Sequence, residues 1–133
     1  MPEKLPPPLT LAMIVCDAIW IEPISGKSSL LGLLAGFGAD AFPTTYPLIA
    51  VYICMTDAHG KVPVELRLVD AAGEAEPIVL ASDVIDFPDR GTIMEWDSQM
   101  ADVEFPAPGE YCLQLFAYSE FVTERRLTVF QEE

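Results

Sequence analysis

The chain has 133 residues, 51% of them hydrophobic and 21% charged, with a formal net charge of −14. That length suits one domain with its own core, and the composition excludes disorder and low complexity. The acidity excludes nucleic acid and anionic lipid as natural partners, because phosphate surfaces are met by Lys and Arg.

Residues 1–8 form a Pro-rich lead, extended by composition. Leu9–Ile21 is predicted as the first strand. Leu11, Met13 and Val15 alternate with Ala12, Ile14 and Cys16, and a bulge is expected at Asp17. The apolar run Leu11–Cys16 is short for a signal segment and no small-residue cleavage site follows it. Bulky Val15 precedes Cys16 where a lipoprotein cysteine would need a small residue. No stretch has the length to cross a bilayer, so the expected location is the cytoplasm. Pro23, Ser25 and Gly26 make the first turn.

Lys27–Phe42 supports two readings. A short helix could open at Ser28 or Ser29, but Gly32, Gly36 and Gly38 each cost about 1 kcal/mol in a helix interior. A strand with bulges is the better expectation. Pro43 and Pro47 flank Tyr46 in what reads as an extended linker. Leu48–Met55, LIAVYICM, is β-branched, aromatic and bounded by breakers, and is the clearest strand. Thr56–Gly60 is a hairpin loop. Val62–Val69 alternates, with Pro63 suggesting an edge strand or a strand beginning. Asp70–Glu76 turns at Gly73.

Pro77–Phe87 is predicted as a strand with Ile78, Leu80 and Val84 facing in. Pro88-Asp89-Arg90-Gly91 is a turn in which each residue has a mechanical part. Thr92–Phe105 follows, with Met94, Trp96 and Met100 inward. Tyr111–Tyr118 and Phe121–Phe130 are the last two strands, and residues 131–133 an acidic tail. The expected fold class is all-β: an antiparallel, immunoglobulin-like β-sandwich of about seven to eight strands, one domain over residues 9–130.

PGEY at residues 108–111 resembles the corner before the second-last strand of immunoglobulin-like domains, where a tyrosine hydroxyl ties the strand to the preceding loop. The resemblance implies structural roles for Tyr111 and Gly109. Antibody-type domains place a cysteine two positions after that tyrosine. Here the position is Leu113, and Cys112 faces the other way. A longer series of landmarks is similar to a family of small bacterial proteins of unknown function with such a sandwich. It runs through Cys16-Asp17, GKSSLLG, Phe42-Pro43, YPLIAVYICMTDAHG, ELRLVD, PGEY and ERRLTVF. That likeness implies a fold and no activity.

No residue stands out as catalytic, and no cofactor is implied. GKSS at residues 26–29 lacks the glycine a phosphate loop needs, since Ile21 holds its place. His59 and Asp57 share a loop, and both read first as turn residues. Clustered carboxylates can hold calcium, and Asp57, Asp86 and Asp89 would be the candidate ligands, but they lack EF-hand spacing. Of Arg125 and Arg126, one must point to the opposite face and is expected to pair with a carboxylate. Cys16, Cys54 and Cys112 lie in apolar runs, as buried thiols do in a reducing compartment. A Cys16–Cys112 or Cys54–Cys112 bridge is left to geometry.

One anomaly points to function. Leu11–Cys16, Leu30–Leu34 and Leu48–Met55 are apolar on both faces, whereas a sandwich strand needs only one dry face. Either loops cover the second face, or it is an interface formed by Leu48, Ile49, Val51 and Ile53. The expected function is a non-enzymatic module that binds a protein partner or itself as a homo-oligomer. The alternative is a small ligand- or calcium-binding domain using its acidic loops.

Overall fold

Buried apolar residues recur at alternate positions along the longer strands, and most of them meet in a core between two sheets. The computed structural model describes residues 5–132. It is all-β, with no helix among the described residues. The strands are β1 (Leu9–Ile21), β2 (Ser28–Leu33), β3 (Gly36–Ala39), β4 (Thr44–Thr56), β5 (Gly60–Asp70), β6 (Ile78–Phe87), β7 (Met94–Phe105), β8 (Gly109–Ala117) and β9 (Glu120–Gln131). One sheet has the order β2-β1-β4-β7 and the other β3-β9-β8-β5-β6. Residues 1–4 of the Pro-rich lead and residue 133 of the acidic tail lie outside the described residues. Gln131, the first residue of that tail, still belongs to β9.

The core follows from the two-residue period. Ile49, Val51, Ile53 and Met55 of β4 face Val62, Val64, Leu66 and Leu68 of β5 and Leu113 and Leu115 of β8. Each such side chain contributes about 1.5–3 kcal/mol when fully buried. Trp96 and Met100 are buried and Met94 packs against them, as the alternation of β7 requires.

Other elements depart from the sequence reading. Lys27–Phe42 is not one strand: it divides into β2 and β3, which belong to different sheets. Two backbone bonds carry the chain across, Leu34 N–H to Val15 C=O at 2.9 Å and Thr128 N–H to Ala35 C=O at 3.0 Å. β3 then runs parallel to β9, so the fold is not wholly antiparallel. Residues 44–47 are not a linker: β4 begins at Thr44 and Tyr46 pairs with Val103. Pro47 is tolerated because β1 pairs with β4 only as far as Ala50, so no donor is needed on that side.

β5 lies inside its sheet, so Pro63 does not mark an edge, although it does precede the start of pairing with β8 at Val64. In β6 the buried residues are Ile85 and Phe87, while Ile78 and Val84 are exposed. The register slips between Leu66 and Arg67, giving β6 an extra residue near Leu80 and shifting its phase. The slip in β1 falls between Thr10 and Ala12, not at Asp17. At Cys16 that strand instead changes partner, from β4 to β2.

Arg125 reaches the neighbouring sheet, but its Nε donates to the Met13 carbonyl at 2.8 Å and not to a carboxylate. The charge satisfies a backbone acceptor where β1 and β9 meet, which no spacing argument foresees.

Candidate interaction surface

β1 and β2 form a hairpin closed at residues 22–27, where Glu22 N–H donates to Lys27 C=O and Gly26 N–H to Glu22 C=O, both at 2.8 Å. GKSS is therefore the end of the hairpin loop and the start of β2. A Ser25 N–H bond to the Glu22 carboxylate holds that carboxyl below its ordinary range.

The hairpin has two unlike faces. Ile19 and its cross-strand partner Leu30 turn toward β4. Ile19, Cys16 and Ala50 form a second small core, with Leu30 and Tyr52 packed against it. Ser28 Oγ donates to Asp97 Oδ2 at 3.0 Å, and Ile19 N–H donates to Gln99 Oε1 at 3.4 Å, binding the hairpin to β7. Tyr52 donates to Glu95 beside this core, and that bond raises the phenol's pKa. On the alternate positions, Trp20 is 51% exposed, Leu31 53% and Leu33 75%. Leu31 lies opposite Ala18 and Trp20 opposite Ser29, so Leu31 and Trp20 share one face; Leu33 lies opposite buried Cys16, beyond Gly32, whose φ of 69° interrupts the alternation. Ile24 stands at the exposed tip.

This geometry corrects the interface expected on β4. Ile49, Val51 and Ile53 are 0% exposed and lie in the central core, so they cannot touch a partner in the folded chain. Leu48 is half-buried. The second apolar face of β4 is covered at Ala50 by the chain's own hairpin. Uncovered apolar surface is thereby moved outward, to Trp20, Leu31 and Leu33. One signal for it was present in the sequence: residues 18–39 hold one acid, Glu22, and one base, Lys27, in a chain of net charge −14.

The outer side of the other sheet mixes charged groups with exposed apolar ones, Val84 and Phe121 among them. Glu65 pairs with Arg67, whose guanidinium lies 3.8 Å from the centre of the Phe116 ring. Gln114 donates to Glu124 at 3.0 Å.

The acidic loop residues do not converge. Asp57 pairs with Arg90 at 3.1 Å. Asp89 accepts from Gly91 N–H at 2.9 Å and from the Thr92 hydroxyl at 3.0 Å, serving its own turn. Asp86 is exposed on β6 opposite Lys61. Among the described residues no three His, Cys, Asp or Glu side chains are grouped to hold a metal ion. His59 is exposed. Its neighbour Asp57 has φ 60°, a turn conformation that Asp tolerates. Cys16, Cys54 and Cys112 are free thiols. Burial raises the pKa of Cys16, and burial followed by the nearby Glu124 raises that of Cys112, so neither is an activated nucleophile.

Tyr111 and Gly109 lie at the start of β8. Tyr111 Oη donates to the Ala107 carbonyl at 2.5 Å, and its ring meets Phe105 edge-on at 5.0 Å. Gly109 has φ 151°, which a side chain would resist. Beside this corner is a cleft of about 590 Å³, floored by Leu68, Ile78 and Tyr111 and rimmed by Glu74, Glu76, Glu104 and Glu110.

A family model described as a family of unknown function (DUF6941) matches residues 11–130. No curated protein matches the chain. Among solved structures, a β-glucosidase from Listeria innocua in complex with isofagomine superposes with TM-score 0.51 at 11% identity, over 92% of this chain and 16% of that one. The sensor domain of the anti-sigma factor RsgI4 from Pseudobacteroides cellulosolvens gives 0.44 at 11% identity, over 71% of this chain and 87% of that one. The alkylpurine DNA glycosylase AlkC from Pseudomonas fluorescens, bound to DNA containing an abasic site analog, gives 0.46 at 10% identity, over 89% and 30%. The glucosidase likeness is one of fold alone.

Proposed function

The chain belongs to this family of unknown function, DUF6941, and on that premise we propose that it is a non-enzymatic interaction or assembly module that self-associates through its β1–β2 hairpin. The observation that carries this reading is the three exposed apolar side chains Trp20, Leu31 and Leu33 on a hairpin already anchored to β4 and β7. An apolar cluster held on paired strands costs little to order on binding. It also lies in the segment where repulsion between two acidic surfaces is least.

The scaffold, in our reading, is immunoglobulin-like. β1, β4 and β7 in one sheet and β5, β8 and β9 in the other correspond to the A, B, E and C, F, G strands of that architecture. The bond from Tyr111 to Ala107 supports the same reading. Three free thiols favour a reducing compartment, and with it the cytoplasm.

Sedimentation equilibrium tests the proposal. The wild-type mass is expected to rise with concentration. A Leu31→Asp/Leu33→Asp variant should remain monomeric with its melting temperature within about 2 °C of wild type, because both side chains are solvated. A variant that associates as strongly as wild type would remove the hairpin from the account.

A further inference from the structure

Each sheet ends in two strands, and the four edges are not defended equally. Native proteins protect sheet edges with charge, brevity or a cover, since an open ladder invites another strand. β7 carries Glu95, Asp97, Asp102 and Glu104 along its length, and β6 carries Asp83 and Asp86. β3 is only four residues long. β2, SSLLGL, has six residues and no charge, and among the described residues no strand lies on its far side. Its two most exposed large side chains are the apolar Leu31 and Leu33.

We propose that β2 pairs edge to edge, antiparallel, with β2 of a second copy, joining the two four-stranded sheets into one continuous sheet. This rests on the reading of the hairpin as the contact surface and names how that contact is made. A second copy is favoured over an unlike partner by charge. Two chains of −14 each repel wherever acidic surfaces meet, and residues 18–39, with Glu22 and Lys27 alone, are the neutral approach. A strand without charge is also self-complementary about a two-fold axis, as an isologous interface must be. Ladder bonds then form along the strand while Leu31 of one copy meets that of the other on the face already shared with Trp20.

Amide hydrogen exchange of the wild-type chain, read at low and high protein concentration and at two salt concentrations, tests the pairing. At a total concentration about tenfold above the dissociation constant, about a fifth of the chains stay monomeric, so the outward amides of β2 should exchange about fivefold more slowly than at low concentration. Added salt should strengthen the effect by screening the repulsion. A Leu31→Lys variant should lose the concentration dependence while keeping its fold. Self-association that leaves the β2 amides exchanging at monomer rates would overturn edge pairing and leave the hairpin face as the contact. A monomer at every concentration and salt level would overturn both.

Discussion

Replacing Tyr111 by Phe removes one oxygen and leaves the ring. The oxygen donates to the Ala107 carbonyl and accepts a longer bond from the Ala107 N–H at 3.4 Å. Ala107 is exposed, so water takes up its carbonyl once the hydroxyl is gone. No buried acceptor is orphaned, and the loss is that of one ordinary net hydrogen bond, about 1 kcal/mol. In a domain of this length that lowers the melting temperature by about 4 °C. Tyr111→Ala also removes a ring that is 6% exposed and stacked edge-on against Phe105, and should cost about 3–5 kcal/mol. Urea unfolding of the three proteins measures both steps, with m-values expected to agree because the surface exposed on unfolding is nearly the same. A Phe variant as stable as wild type would show that the corner bond contributes nothing. A Phe variant as weak as the Ala variant would show that the hydroxyl, and not the ring, holds the corner.

Further outcomes follow from single contacts. Gly36→Ala should destabilise by about 1–3 kcal/mol, because a Cβ there would meet the Thr128 backbone carbonyl in the β3–β9 pairing; thermal melting reads it. A disulfide reagent applied to the native protein should label half-buried Cys54 first, and Cys16 and Cys112 only on unfolding, which timed mass spectrometry follows. The Tyr46 hydroxyl donates to the Asp17 carboxylate, and that bond, aided by burial, pushes its pKa up from 10.0 to about 12. A raised folded-state pKa stabilises while the group is protonated. The advantage of wild type over Tyr46→Phe should therefore be complete below about pH 10 and vanish as pH rises through about 12. With Asp17 exposed, its size at neutral pH should stay below about 1 kcal/mol.

Reading the chain in sequence recovered the strands with strong local signals, and the reason is local. Leu48–Met55 is a β-branched, aromatic run bounded by breakers and Tyr111–Tyr118 carries a period of two, and neither pattern depends on partner strand or sheet. The bond from Tyr111 to Ala107 is likewise local, closing within five residues. The errors fell where two distant segments decide the outcome. Residues 44–47 look like a linker until β7 pairs with them. Val84 looks inward until the slip near Leu80 shifts its phase.

Composition and periodicity by themselves determined that this chain is all-β, that it buries a core between layers of strands, and that it has more apolar residues than one face per strand requires. Only tertiary structure decided where the surplus goes. The fold-over of β1 and β2 buries Cys16, Ile19 and Ala50 within the chain and leaves Trp20, Leu31 and Leu33 outside. A strand's sequence specifies which residues share a side, but which side faces water depends on contacts made far along the chain, and no local pattern encodes those.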